Sequence, residues 1–493
     1  MILGLVVGEL PGQLTASAPL KRKWYDGAVR LLRGGDGNYY LIRSANGQYW
    51  SFGRNGLFRF EIWKFDSQLK LLAIERVGKP RTETQIGNAF EVLPAPEGIA
   101  VLNVARSPVS DQYELRLCQL QSVEGEMSWN CRGMAQLEGF VPRAAELDVR
   151  TAGTPDSNFI LVTWRNESGR DRKDNATGAV VLDQNLRVVH PNFAPFRGAR
   201  REFRLLRIGI VDRDHLLFWV KAYAPQGVFG TMQPASFHLL EYHVPKQKMR
   251  EIRMNYRGDV LMDVRFAFAA DGSVQVAGWW LNGIAEERKM GVYFAEIGKA
   301  DSLANLKKYP FQAAMRHEML PKVQSDGDAW YRPNYQSCLL PADQGFVYAL
   351  HLHGALDGRD PVRMPGTRYD NVLVIYDFDA AGELQERRLR GWCNEARTDY
   401  YETYSWLPVR SSEGWMALAT DFSRIPTFSQ SHLARNVLIP LENESGEMRF
   451  PETGMNAGGN WVLAPRLHWR EGPRDYVFVA KSRKYYRLLR LQL

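Results

Sequence analysis

The stretch RDYVFVAKSRKYYRLLRLQL, from Arg474 to Leu493, alternates apolar and polar residues and is rich in Tyr, Val and Leu. Alternation with a period of two predicts two β-strands joined by a tight turn. The second strand is followed by neither a turn nor a helix. A strand in that position needs a hydrogen-bonding neighbour, so the pattern predicts a partner strand elsewhere in the chain.

The strand DYVFVAK is one of eight similar segments, each opened by a small or polar anchor residue. The anchors are Asn38, Gly98, Asn158, His215, Gly272, Gly345, Gly414 and Asp475. The differences between successive anchor numbers are 60, 60, 57, 57, 73, 69 and 61. A near-constant period over eight units indicates an internal repeat rather than a chance recurrence.

Each unit has the same four parts: a strand before the anchor, the anchor strand, and two further strands after it. Four antiparallel strands repeated around an axis are typical of a β-propeller. The sequence therefore predicts an all-β, eight-bladed β-propeller as a single domain over residues 1–493, with blades beginning near 28, 89, 144, 203, 262, 335, 404 and 461. The alternative, two or three unrelated β-sandwiches, would not share one repeat anatomy.

The last unit contains only three strands, so it lacks the fourth. The segment MILGLVVGEL, Met1–Leu10, is apolar enough to supply it, with residues 1–27 serving as closure strand and lead-in. This pairing would close the ring and remove an exposed strand edge. The alternative is a short signal peptide over Met1–Ala18, in which case PLKRKWYDG, Pro19–Gly27, would have to close the ring.

Composition excludes several classes of protein. No apolar stretch reaches the roughly 20 residues that a membrane helix needs. The formal net charge of +8 is modest for 493 residues and is not concentrated in a run, which favours an anionic ligand over nucleic acid. WD, Kelch, quinoprotein, haem-attachment, P-loop and zinc-finger motifs are missing. We therefore expect no cofactor, no metal and no nucleic-acid partner.

The four cysteines, Cys118, Cys131, Cys338 and Cys393, contain one informative pair. A hairpin that turns on Glu124-Gly125 places Cys118 opposite Cys131, on a rung where Cα atoms lie about 4.5 Å apart. That distance permits a disulfide, which would indicate an oxidising compartment. Two free cysteines on a buried sheet are the alternative, and the pairing of Cys338 with Cys393 is left open.

The long connections of the repeat all fall between second and third strands or between blades, which share one face of a propeller. We call this the long-loop face. Its predicted segments are Ser44–Gly56, Gly78–Asn88, Pro191–Glu202, Ala224–Pro234, Pro310–Asn334, Gly354–Asp370, Trp392–Thr403 and Phe422–Arg435. Loops on a rigid scaffold commonly carry function, so a site is expected there, most of all in units five and six.

The loops of units five and six are rich in arginine and aromatic residues. The predicted ligand-binding residues are Arg316, Trp330, Arg332, Tyr335, Arg363, Arg368, Tyr369, Arg397 and Tyr404. Arginine pairs in a bidentate manner with carboxylate or sulfate, and aromatic faces stack on sugar rings. The set predicts binding of an acidic polysaccharide. The alternative is that these surface arginines and tyrosines only solvate and brace the long loops.

Acid–base candidates lie in the same units. His351 and His353 follow one side of the strand ALHLHG, and His317 lies beside Arg316. Tyr400 and Tyr401 complete the set of possible acids and bases. If the protein is an enzyme, this chemistry suits a polysaccharide lyase or a glycoside hydrolase, because arginine would acidify the proton next to a uronate carboxylate. Packed strand histidines are the alternative.

Two functional hypotheses follow. The first is binding or processing of an acidic glycan at the long-loop face. The second is a non-catalytic scaffold in an extracytoplasmic assembly that presents the same face to a protein, since Tyr, Trp and Arg are also enriched at protein interfaces. Both favour a periplasmic or extracellular location. A cytoplasmic location stays open, and no oligomeric state is predicted.

Overall fold

The structure is a computed structural model of the 493-residue chain. It describes residues 14–21, 27–44, 60–77, 88–107, 109, 112–123, 126–137, 147–154, 158–166, 177–196, 202–223, 236–252, 254–256, 259–269, 272–282, 289–298, 302–311, 336–342, 345–355, 368–395, 406–411, 414–421, 435–441, 448–449, 461–482 and 485–492.

The described residues form strands throughout. Two short strands come first: β1 (Leu14–Ala16) and β2 (Leu20–Lys21). Blade 1 contains β3 (Gly27–Arg33), β4 (Tyr39–Ser44), β5 (Phe60–Phe65) and β6 (Leu71–Val77). Blade 2 contains β7 (Asn88–Ala95), β8 (Gly98–Arg106), β9 (Tyr113–Val123) and β10 (Glu126–Leu137). Blade 3 contains β11 (Leu147–Gly153), β12 (Phe159–Asn166), β13 (Thr177–Asp183) and β14 (Val188–Phe193).

Blades 4 to 8 follow the same plan. Blade 4 contains β15 (Glu202–Ile210), β16 (His215–Tyr223), β17 (Ser236–His243) and β18 (Lys248–Ile252). Blade 5 contains β19 (Asn255–Tyr256), β20 (Asp259–Phe268), β21 (Val274–Asn282), β22 (Lys289–Ile297) and β23 (Leu303–Pro310). Blade 6 contains β24 (Gln336–Ala342), β25 (Gly345–Ala355), β26 (Arg368–Asp379) and β27 (Leu384–Glu395). Blade 7 contains β28 (Leu407–Ser411), β29 (Gly414–Asp421), β30 (Arg435–Pro440) and β31 (Met448–Arg449). Blade 8 contains β32 (Val462–Arg470), β33 (Asp475–Lys481) and β34 (Tyr485–Gln492).

The strands form eight antiparallel sheets, which confirms the predicted eight-bladed β-propeller. The first full-length strands of blades 8, 1, 2, 3 and 4 lie next to one another in that order, and those of blades 5 and 6 likewise adjoin, so we call the first full-length strand of each blade its inner strand. The apolar core lies between blades. For example, Leu32 and Tyr40 of blade 1 pack in one cluster with Val92 and Ile99 of blade 2. In the described part of the chain, no helix is long and apolar enough to span a membrane.

The N-terminal segment closes the ring, as predicted, and the described pairing runs through β1 and β2. β1 and β2 both pair antiparallel with β34 and thereby complete blade 8. Between them, the Ser17 amide donates to the Leu488 carbonyl at 2.9 Å, and the Ser17 hydroxyl accepts from the Leu488 amide at 3.0 Å. The predicted closure segment Met1–Leu10 lies outside the described residues.

The turn between the third and fourth strands has a common chemistry. It begins with an aspartate in blades 1, 3 and 6, at Asp66, Asp183 and Asp379. The Asp66 carboxylate accepts hydrogen bonds from the amides of Gln68 and Lys70 at 2.9 and 2.8 Å. The other two aspartates accept the equivalent pairs. This arrangement satisfies the turn amides and makes the turn a short, rigid element.

The glycine anchors have a steric explanation at Gly345. Its φ of 157° lies in the region that side chains rarely adopt, and an added Cβ would meet the Phe378 carbonyl oxygen at 2.0 Å. Only glycine allows β25 and β26 to approach this closely. A small anchor therefore marks the start of the second strand because the neighbouring backbone leaves no room for a side chain.

Several arginines clasp adjacent blades. Side chains that donate to a carbonyl of the next blade are Arg132 to Leu186, Arg165 to Phe203, Arg250 to Gly298 and Arg388 to Leu441. Arg388 is 4% exposed and is also paired with Asp377. These arginines therefore contribute to the contacts between blades, and their charge is not all available for binding an anionic ligand.

The blade 2 hairpin has the predicted register: Cys131 pairs with Cys118, within a ladder that runs without a shift from the pair Glu126–Val123 to the pair Gly133–Arg116. The structure joins Cys118 to Cys131 in a disulfide, with Cα atoms 4.0 Å apart. Cys338 is a free thiol, and burial raises its pKa. It lies on β24 and Cys393 on β27, the two edge strands of one blade. Three strand spacings, roughly 14 Å, separate these strands, so a bond between them is excluded.

Alkylation and mass spectrometry should detect the disulfide directly. In denatured protein made in an oxidising compartment, Cys118 and Cys131 should label only after reduction, whereas Cys338 should label without it. Reduction should lower the free energy of unfolding by about 3 kcal/mol, because the bond closes a short loop in the unfolded chain. Labelling of both Cys118 and Cys131 in unreduced protein would contradict the disulfide.

Candidate functional site

The strand order places the long connections on one face. Second-to-third connections and blade-to-blade connections include 45–59, 78–87, 224–235, 312–335, 356–367, 396–405 and 422–434. The opposite face carries short turns such as 34–38 and 66–70. Two predicted segments begin too early. β25 and β26 remain paired out to Ala355 and Tyr369, so the segment Gly354–Asp370 is partly strand. β27 likewise continues through Trp392 to Glu395.

Of the predicted site residues, only His351 has a described side chain. It is fully buried in β25, opposite Gln336 and Leu373. The backbones of His353, Arg368 and Tyr369 lie in β25 and β26, at the end next to the long-loop face. The other predicted residues lie outside the described residues: Arg316, His317, Trp330, Arg332, Tyr335, Arg363, Arg397, Tyr400, Tyr401 and Tyr404.

The inner strands carry a set of arginines that sequence reasoning missed. We call Arg30, Arg150, Arg207 and Arg265 the inner arginines. Each contacts the inner strand of the next blade: Arg30 lies 3.8 Å from Glu91, and Arg150 donates to the Leu206 carbonyl. Their common position in the repeat could have identified them, because each lies seven or eight residues before the anchor of its unit.

Two inner arginines belong to a polar network where blades 4, 5 and 6 meet. Arg207 donates to an Asp263 carboxylate oxygen at 2.8 Å. Arg265 donates to the Ser337 hydroxyl at 2.6 Å, and that hydroxyl donates to the other Asp263 oxygen. The Tyr293 hydroxyl donates to the Asp263 carbonyl at 3.0 Å. Two arginines thus meet one carboxylate, which leaves a surplus positive charge within this network.

The backbone at Asp263 is unusual. Its φ is 51°, and the pairing of β20 with β21 is shifted between Met262 and Arg265. Left-handed conformations in a strand are retained where surrounding contacts enforce them, and they are found often at functional sites. The pKa of Tyr293 is raised first by burial and then by the nearby Asp263 charge, so the phenol stays protonated as a hydrogen-bond donor.

A second ion pair lies at the base of the longest connection, 312–335. Asp259 is 5% exposed and is paired with Lys308, four residues before that segment begins. The Lys308 ammonium also lies 5.6 Å from the centre of the Trp280 ring. A buried carboxylate needs such a partner, so the pair fixes the end of β23 against the start of β20.

Of the fourteen buried polar side chains among the described residues, nine lie in the half of their blade next to the long-loop face: Arg43, Asn103, Arg116, Thr163, Thr177, His238, Asp259, Ser337 and His351. The other five are Ser17, Thr154, Gln275, Arg388 and Ser411. Buried polar groups require partners, and they therefore define the conformation of the strand ends from which loops depart. The strand ends next to the long-loop face therefore contain most of these buried polar groups.

No family model matches the sequence, and no curated protein matches it. Solved structures with similar architecture include the polysaccharide lyase Uly1, with 8% identity over 97% of this chain and 99% of that one, at a TM-score of 0.34. An endo-arabinase from Bacteroides thetaiotaomicron has 9% identity over 58% and 99%, at 0.26. Drosophila Plexin A in complex with Semaphorin 1b has 8% identity over 97% and 87%, at 0.31. These structures resemble the chain in their β-strand architecture alone.

Proposed function

We propose that this propeller binds an anionic ligand at its long-loop face, and that this ligand is an acidic polysaccharide. The observation that carries the proposal is the repeated, partly exposed arginine of the inner strands. The side chains of Arg30, Arg207 and Arg265 are 48%, 29% and 21% exposed. A guanidinium has five donors, so an arginine that clasps the next blade with one of them keeps others for a ligand.

The charges of the inner strands support an anion over a cation. Glu91 is the carboxylate beside Arg30, and the pKa of Glu91 is raised by burial, a shift that Arg30 only partly opposes. Asp263 is shared between Arg207 and Arg265. The inner strands of blades 1 to 5 therefore carry more positive than negative charge, and low-dielectric walls strengthen the resulting field along the axis.

The location that suits this ligand is periplasmic or extracellular. The Cys118–Cys131 disulfide supports it, since such bonds persist in oxidising compartments. A polysaccharide-processing activity, as a lyase or a glycoside hydrolase, would need an acid and a base among the loop residues named above. Screening for an unsaturated uronate product by ultraviolet absorbance tests for the lyase reaction.

A protein-interaction scaffold is the second candidate, and one observation favours it. Leu72 and Ile74 are 51% and 45% exposed on β6, the outer strand of blade 1. An outer strand with apolar side chains is a surface on which another protein can pack. This surface lies at the rim of the propeller, so a partner bound there would leave the long-loop face free.

Glycan binding should depend on the arginines of units five and six. Replacing any two of Arg332, Arg363, Arg368 and Arg397 by Ala should weaken binding to an acidic glycan by at least about tenfold, because each charge-assisted pair contributes about 1.5–3 kcal/mol. The salt dependence should flatten as ionic contacts are removed. Titration calorimetry against glycans selected on an array measures both effects.

The matched control is Arg474, an exposed residue of the short-turn face. Arg474→Ala should leave glycan affinity unchanged. Equal losses at Arg474 and at the loop arginines would refute a site on the long-loop face. Absence of binding to any acidic glycan would refute the ligand class and favour the scaffold.

A further inference from the structure

The short-turn edge of blade 4 departs from the repeat at two positions. The anchor is Gly, Asn or Asp in every other unit, but here it is His215. The turn between third and fourth strands begins with Asp in blades 1, 3 and 6, but here it begins after His243, the last residue of β17. The two histidines lie directly opposite each other on β16 and β17. The two histidines therefore form one rung at the short-turn edge of blade 4.

The two histidines belong to a row of three side chains on one face of the blade. His243 also pairs with Lys248 on β18, so His215, His243 and Lys248 follow one another across three strands. The two imidazole rings are perpendicular, with centroids 4.7 Å apart. Neighbouring strands lie about 4.8 Å apart, so one small ligand can contact the whole row.

The ring nitrogens of this row have defined roles. Nδ1 of His215 lies 2.8 Å from an Asp212 carboxylate oxygen, and it therefore carries the proton. Burial alone would raise the pKa of Asp212, but hydrogen bonds from His215 and from backbone amides lower it, so the carboxylate stays ionised. Nδ1 of His243 accepts the Lys246 amide at 3.2 Å, which leaves the ring proton on Nε2, a donor.

A cavity of about 570 Å³ lies over this row, and its lining includes Lys246, Lys248 and Arg250. Arg250 is neutralised by Glu241 at 2.5 Å. Glu251, the second carboxylate of the lining, lies 2.5 Å from Nδ1 of His238, which is outside the lining. Lys246 and Lys248 are exposed and have no ion-pair partner within the described part of the chain. The lining therefore carries three cationic side chains and two carboxylates, a surplus of one positive charge, and Lys246 and Lys248 supply the ammonium donors.

We propose that the histidine edge, defined as His215, His243, Lys246 and Lys248, binds a tetrahedral oxyanion, the phosphate or sulfate group of a ligand. Two ammonium groups and the His243 Nε2–H supply donors, and oxyanions accept several strong hydrogen bonds at once. Nε2 of His215 can accept a hydrogen bond from a hydroxyl group of a phosphate ligand. A metal ion fits less well, since no group of three ligating side chains occurs among the described residues.

The proposal is independent of the long-loop face, because the histidine edge lies beside the short turns at the opposite end of the blade. Titration of the full-length chain with inorganic phosphate, and separately with sulfate, tests it by calorimetry at constant ionic strength maintained with chloride. Saturable binding of either anion is the expected result. Binding of phosphate alone assigns phosphate groups as the ligand, and equal binding of both assigns tetrahedral oxyanions in general.

The repeat itself supplies variants that should fold. His215→Asn introduces the residue found at the anchors of blades 1 and 3, Asn38 and Asn158. This variant removes the ring that packs against His243 and should leave the donors to the anion in place. His243→Ala removes the Nε2–H donor and should weaken phosphate or sulfate binding at least about tenfold, because a hydrogen bond to a charged group is worth more than one tenfold step. Lys248→Ala changes only an exposed side chain and should have a similar effect.

The matched control is Lys70→Ala, since Lys70 ends the corresponding turn of blade 1 and is exposed. It should bind the anion like the parent chain. Failure of both anions to bind, unchanged affinity in His243→Ala and Lys248→Ala, or an equal loss in Lys70→Ala would each overturn the proposal. Thermal melts of each variant verify that the fold is intact.

Discussion

Deleting residues 1–21 should yield aggregated protein, or protein that melts far below the parent chain. The deletion removes β1 and β2 and leaves β34 as an open edge. Leu488, Leu489 and Leu491 of that strand are at most 3% exposed in the closed ring. An apolar edge of this kind pairs readily with other chains. Size-exclusion chromatography with light scattering, together with calorimetry, measures the outcome.

A point variant distinguishes the effect of losing the β1–β34 pairing from the effect of shortening the chain. Ser17→Pro keeps the segment but removes both the amide that binds the Leu488 carbonyl and the hydroxyl that binds the Leu488 amide. It should destabilise the protein clearly, whereas Ser17→Ala should lose only the hydroxyl contact, about 1 kcal/mol. Deleting only residues 1–10 leaves β1 in place. Unchanged melting after deletion of 1–21 would refute closure by this segment.

Replacing Arg43 should have the second largest effect, a loss of about 3–5 kcal/mol in the free energy of unfolding for Arg43→Ala, since truncation of a large buried side chain leaves a cavity. The side chain is 2% exposed and lies 3.7 Å from Glu61. Its guanidinium lies 4.0 Å from the centre of the Trp63 ring and 5.2 Å from that of Tyr486 in blade 8. The cation–π contacts across the closing interface add to the effect.

The control for Arg43 is Arg76, which contacts the same carboxylate. Arg76 lies 3.2 Å from Glu61 but is 78% exposed. Arg76→Ala should change the free energy of unfolding by about 0–1 kcal/mol, as is usual for surface ion pairs. Urea denaturation of the full chain measures both variants. Similar effects at the two arginines would show that burial of Arg43 does not stabilise the closing interface.

Local patterns were sufficient to predict the architecture. The anchor spacing indicated eight units, and the turn at 124–125 fixed the register that places Cys118 opposite Cys131. These features depend on short-range chemistry, namely alternation, turn residues and hairpin counting. Closure by the N-terminal segment was predicted from the missing fourth strand of the last unit. The described pairing uses backbone groups of the polar stretch around Ser17, which apolarity does not mark, and the predicted strand Met1–Leu10 lies outside the described residues.

The polar network of blades 4 to 6 could not be read from local pattern. Arg207 and Asp263 are 56 residues apart, and Asp263 and Ser337 are 74 apart. Each separation is close to one repeat, because radial packing places equivalent positions of adjacent blades side by side. Reading the sequence in steps of one repeat would have aligned them. The predicted loop residues of units five and six stay predictions, since they lie outside the described residues.

The way the chain enters and leaves blade 8 determines how the ring responds to force. Leu14 pairs with Leu491, so the chain enters β1 and leaves β34 at the same end of an antiparallel ladder. Tension applied between these two points loads the hydrogen bonds one after another, as a zipper opens, rather than all at once in shear. A propeller anchored at both ends would therefore open first at its closing blade, under low load, while the other seven blades keep their strands paired.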